Sequence, residues 1–113
     1  MKEPLIRYIE QFVTLQPDEW NLLWQRIEIR RFAKDEVLHP LGKVCNEIFF
    51  IRKGVVRHLH RFEGKEGIAW FTVEGELATD IHSFLSREPG VQSLIASTDT
   101  EGFSLSYGHL QEL

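Results

Sequence analysis

The chain has 113 residues, 42% hydrophobic and 27% charged, which is enough for one buried core and too short for a sensor joined to a separate effector domain. Thirteen Lys and Arg against 17 Asp and Glu give a formal charge of -4, which argues against a domain that neutralises a phosphate backbone unaided, and 8 Phe with 3 Trp argue against disorder. The single cysteine, Cys45, excludes an internal disulfide, and no apolar run is long enough for a signal peptide or membrane span, so the expected location is cytoplasmic.

Leu5, Ile6, Ile9, Phe12 and Val13 recur at three- and four-residue spacing and predict an amphipathic helix over residues 3–13. A second helix starts at Pro17, with Asp18 and Glu19 at the positive end of its dipole and Trp20, Leu23, Trp24 and Ile27 on one side. Beyond residue 27 the period shortens. Residues 29–32, 37–39, 48–53, 55–62, 67–73, 91–98 and 103–107 read as about seven strands, separated by Gly, Pro, Asn and Asp, the pattern of a small sandwich, barrel or roll. DIHSFLS, residues 80–86, predicts one or two helical turns inserted between strands. YGHLQEL, residues 107–113, opens a helical pattern that no Gly or Pro closes, so the expectation is a helix that is cut off rather than finished.

His58 and His60 share one face of their strand and could share a metal ion, as in metal-binding jelly rolls of the cupin kind. Glu63 falls in a turn, and the spacing joins none of His39, His82 and His109 to the pair, so two histidines facing solvent or a polar pocket is the preferred reading. No serine lies in a nucleophile elbow, Cys45 has no motif around it, and Glu74, Glu76 and Asp80 read as solvated turn carboxylates; an enzyme is not expected.

RRFAKDEVLHPLG (30–42), NEIFFIRKGVVR (46–57), EGKE (63–66) and EGELATDIHSFL followed by EPGVQSLIASTDT resemble, in order, the first strand and glycine turn, the hallmark hairpin, the second hairpin turn and the phosphate-binding cassette of the cyclic-nucleotide-binding domain of Crp/Fnr transcription regulators. The resemblance is particularly to the divergent Bacteroidetes-type forms. Independently of the family, Gly42, Gly54 and Gly64 fall where tight turns need positive φ. The resemblance implies a jelly-roll-like β-roll (double-stranded β-helix), with N-terminal helices over residues 1–27, the roll over 28–107 and the start of a C-terminal helix over 108–113.

In that family a short helix presents N–H groups to a cyclic phosphate, an arginine pairs with the phosphate, and a glutamate after a glycine holds the ribose hydroxyl. Ungapped alignment from Gly75 puts Thr79 and Asp80 at the Gly-Glu pair and Gly90 at the arginine. The resemblance thus implies a ligand site of Thr79, Asp80, Ile81, Gly90 and Val91, with Arg57 or Arg87 as substitute cations. Loss of the arginine costs on the order of 1.5–3 kcal/mol, roughly ten- to a hundred-fold in affinity, so cAMP is not expected to bind in the usual way. The implied protein is an effector-sensing domain for a cyclic nucleotide or other small anionic effector, with no resident cofactor. It is dimeric in the intact regulator and reaches DNA only through a C-terminal domain outside this sequence. A cupin-like metal protein using His58 and His60 stays open as the alternative.

Overall fold

A computed structural model describes residues 3–11 and 14–111. Helix α1 (Glu3–Glu10) and helix α2 (Pro17–Arg26) precede eight strands: β1 (Glu28–Phe32), β2 (Val37–His39), β3 (Glu47–Lys53), β4 (Val56–Phe62), β5 (Lys65–Thr72), β6 (Leu77–Ala78), β7 (Gln92–Ala96) and β8 (Thr100–Ser106). Helix α3 (Ile81–Ser86) lies between β6 and β7, and α4 (Tyr107–Gln111) follows β8. Phe12 and Val13, expected in the first helix, and residues 112–113 of the last helical pattern lie outside the described residues.

The strands form two antiparallel four-stranded sheets, ordered β1-β8-β3-β6 and β2-β7-β4-β5. Every connection except β4 to β5 passes from one sheet to the other, which is the winding of a jelly roll. The fold class read from the sequence holds. The strand missing from the sequence reading is β6, two residues that pair with Phe49 and Phe50 and carry no periodicity of their own. The last strand also starts three residues early, because Thr100, Glu101 and Gly102 pair with Phe32, Arg31 and Arg30 in spite of their turn-like chemistry.

The near-continuous apolar run of β3 follows from burial on both faces. Phe49 and Ile51 point between the sheets and join Phe32, Val56, Ala78, Leu94 and Ala96 in the central core. Phe50 points the other way, where with Phe103 and Leu5 it supports Tyr8, Ile9, Trp24 and Ile27. The helices therefore cap the outer face of the first sheet, and the tryptophan stripe serves packing, with Trp20 stacked on Trp24 at 5.5 Å.

NEIFFIRKGVVR is not a hairpin. Its two strands belong to different sheets, and Gly54 is the corner between them, at φ +106° with Asp99 O only 2.6 Å from where a Cβ would stand. EGKE is a true hairpin: Glu63 (φ +51°) and Gly64 (φ +78°) are both left-handed, as the twist of a two-residue connection requires. These environments set different costs for a side chain. Gly54→Ala meets both positive φ and backbone and should lose more than about 2 kcal/mol, whereas Gly64→Ala, with open space around it, should lose about 1 kcal/mol. Urea unfolding of the two variants checks the order.

Candidate ligand-binding site

Register builds the site. Across the second sheet, His39 on β2 and His58 on β4 both oppose Leu94 on β7, and His58 also opposes Trp70 on β5. Directly opposed residues share a face, so His39, Leu94, His58 and Trp70 form one row across all four strands, pointing between the sheets with Leu94 in the core. His39 and His58 are 5% and 1% exposed, while Trp70, on the edge strand, is 47% exposed and stacks on the His58 ring at 4.6 Å.

His58 is satisfied on both sides. Nε2 lies 2.7 Å from Thr72 Oγ1 and Nδ1 lies 3.3 Å from Gln92 Oε1. A neutral ring whose Nδ1 donates to Gln92 while the Thr72 hydroxyl donates to Nε2 completes both bonds. Both nitrogens are thereby engaged, and His60, half-buried, opposes Gln92 one step along β4. Among the described residues no three His, Cys, Asp or Glu gather as metal ligands. His39, which spacing could not attach to the pair, belongs to the same row because the roll brings β2 beside β7.

From the other sheet, β6 delivers Thr79 and Asp80 to α3. Thr79 donates from Oγ1 to Glu47 O at 3.1 Å. Asp80, 3% exposed, caps α3 with Oδ1 accepting from Ser83 N at 3.2 Å. It is not the solvated turn carboxylate that the sequence suggested. Among the described residues its Oδ2 is buried without a hydrogen-bond partner, as is His39 Nε2. Ser83 fixes the helix from below, accepting from Cys45 N and donating to Glu88 O. Gly90 returns the chain past this corner, held by paired backbone bonds with Gly42 and Lys43, and Asp80 Oδ2 occupies the position that a Cβ at residue 90 would take.

Burial lowers the pKa of His39 and His58, and the Asp80 charge opposes this at both rings.

The remaining expected contacts lie elsewhere. Ile81 and Val91 are 55% and 54% exposed. Arg57 lies between the inward-facing Val56 and His58 and so on the outer side of its strand, where it pairs with Asp35 at 3.0 Å and donates to Ala96 O. Arg87, a left-handed C-cap at φ +65°, donates to Cys45 O, Phe84 O and Asn46 Oδ1 and stacks 3.7 Å from the Tyr107 ring centroid. Both guanidinium groups are committed to protein partners away from Asp80. Thr72, Gln92, Trp70 and His39 were missed in the sequence; the period-two pattern through 56, 58 and 60 carried the signal on β4, but the partner strands could be aligned only by register.

The architecture is that of a jelly roll whose sixth and seventh strands are bridged by the short helix Ile81–Ser86. The sequence profile of the cyclic nucleotide-binding domain matches residues 29–113, and the chain belongs to that family. No relative among curated proteins matches. Among solved structures, it is similar to the catabolite activator protein of Thermus thermophilus, with TM-score 0.74, 22% identity, and coverage of 89% of this chain and 47% of that one. It is similar to the sensor domain of the transcriptional regulator DNR from Pseudomonas aeruginosa, with TM-score 0.77, 17% identity, and coverage of 99% and 79%. A third is the regulatory subunit of a cAMP-independent protein kinase A from Trypanosoma cruzi bound to guanosine, with TM-score 0.79, 18% identity, and coverage of 98% and 43%. The chain thus spans less than half of the catabolite activator protein and of the kinase subunit. No helix among the described residues is long and apolar enough to cross a membrane.

Two expectations follow. The unfolded chain takes up a proton on each histidine near the ordinary value of 6.5, while folded His39 and His58 take it up only at lower pH. Their contribution is complete above about pH 6.5 and is lost as pH falls below it, so urea stability should decline from pH 7 to 5 with proton uptake on unfolding. Arg87→Ala, which strands two carbonyls, should cost about 1–3 kcal/mol by the same unfolding assay.

Proposed function

We propose that the chain is the effector-sensing domain of a Crp/Fnr-type transcription regulator, with its effector seated at the corner between Asp80, Gly90 and the His39–Leu94–His58–Trp70 row. The protein acts by binding, not by catalysis, in the cytoplasm. The intact regulator is a homodimer and contacts DNA through a further C-terminal domain. Binding of cAMP in the family's usual way is not part of this reading, since Gly90 stands where the resemblance expects the phosphate-pairing arginine.

The observation that carries the proposal is the unpartnered Asp80 Oδ2, buried at 3% exposure on the very residue that caps α3. A ligand that bonds this oxygen acts on the cassette directly. From α3 the route outward is short. Phe84 meets Tyr107 edge to face at 5.3 Å, and Arg87 spans α3, the loop before β3 and the Tyr107 ring at the start of α4. A shift of the cassette is therefore felt at the first residue of the helix that leaves the roll. The ligand switches the domain only through unequal affinity for the two cassette positions. The cupin-like alternative is not favoured, because both nitrogens of His58 already hold Thr72 and Gln92.

A thermal-shift screen over cyclic mononucleotides, cyclic dinucleotides and nucleosides tests this reading. A true effector at a hundred times its dissociation constant should stabilise the chain by about 2.7 kcal/mol, and Asp80→Ala should abolish the shift. A screen without any stabilising compound would sink the proposal.

A further inference from the structure

The charge of the corner narrows the effector class, an inference that rests on the effector site just proposed. We infer that the site selects an uncharged molecule combining hydroxyl donors with a planar aromatic ring, the chemistry of a nucleoside, over the corresponding cyclic phosphates.

The polar groups at the corner are suited to a donor. Asp80 Oδ2, buried and unpartnered, accepts hydrogen bonds when ionised and offers none. A sugar hydroxyl satisfies it, whereas a phosphate brings only acceptors and a like charge. His39 Nε2, also buried and unpartnered, can take either role according to its tautomer and accepts a second hydroxyl as readily as it donates to one.

Neither Arg57 nor Arg87 answers a phosphate here. Arg57 is held by Asp35 and Ala96 O on the outer side of its strand, and Arg87 by Cys45 O, Phe84 O, Asn46 and the Tyr107 ring. Lys43 is exposed and lines, with His39 and Glu47, a cleft of about 140 Å³. An arginine restored at position 90 would have to displace the Asp80 carboxylate, which occupies the space its Cβ needs. Asp80 keeps an acid where the resemblance expects one, while Gly90 supplies no cation.

The aromatic half of the ligand has a platform. Trp70 stacks on His58 and is 47% exposed at the edge of the sheet, in line with the row that leads to the buried acceptors. A planar base can stack on the open indole face at the outer end of that row.

Calorimetric titration of the chain with adenosine, guanosine, cAMP and cGMP tests the inference. At least one nucleoside should bind ten-fold or more tightly than its cyclic phosphate. Trp70→Ala, a substitution at a half-exposed position that the core does not need, should weaken the nucleoside about ten-fold. Asp80→Asn retains an oxygen to cap α3 but removes the charge, and should narrow the ratio of nucleoside to cyclic-phosphate affinity, which a purely structural role for Asp80 would leave unchanged. A cyclic phosphate that binds as tightly as its nucleoside, or a ratio unmoved in Asp80→Asn, overturns this inference while the effector site stands. Failure of both nucleosides to bind also overturns it, and the cyclic dinucleotides of the wider screen then decide separately whether the site holds any effector.

Discussion

One carboxylate organises the functional end of this roll. Asp80 leaves β6 buried, caps α3 with one oxygen and fills the space beside Gly90 with the other. Burying a charged group is costly unless hydrogen bonds or counter-charges compensate it. Here a single backbone donor satisfies Oδ1, and Oδ2 has none. A polar atom so placed stores free energy that a ligand can release, and it does so on the residue that starts the cassette helix. In the proposed site, recognition and the position of the helix share one side chain.

The opposite wall is built by a different rule. Four strands present His39, Leu94, His58 and Trp70 in a single row because antiparallel register aligns them. The row grades from dry to wet: Leu94 in the core, His58 buried but satisfied by Thr72 and Gln92, Trp70 half open at the edge. Burial holds both histidines toward the neutral form against the pull of Asp80, so the row presents hydrogen-bonding groups with little positive charge.

The cassette does not stand apart from the rest of the domain. Ser83 ties α3 to Cys45 and Glu88, and Arg87 ties its C-terminus to the loop before β3 and to Tyr107. The arginine that could have served a phosphate has become a structural clasp between the cassette and α4. A planar guanidinium suits that task, since it donates to several carbonyls while lying on an aromatic ring.

The sequence by itself determined the class of fold and the location of most elements. Period-two runs of β-branched and aromatic residues bounded by Gly and Pro mark strands, and Pro17 with its acidic first turn marks a helix, because these are local preferences of the backbone. It also placed a short helix over residues 80–86, found at Ile81–Ser86, because that signal too is local. Tertiary structure alone decided which sheet each strand joins, that Gly54 is a corner rather than a hairpin, that His39 and His58 flank the same leucine, and that Arg57 and Arg87 are committed elsewhere. Tertiary structure also enclosed Asp80, which in sequence resembles any turn carboxylate. Those features depend on register and enclosure, contacts between residues distant along the chain, and no local pattern encodes them.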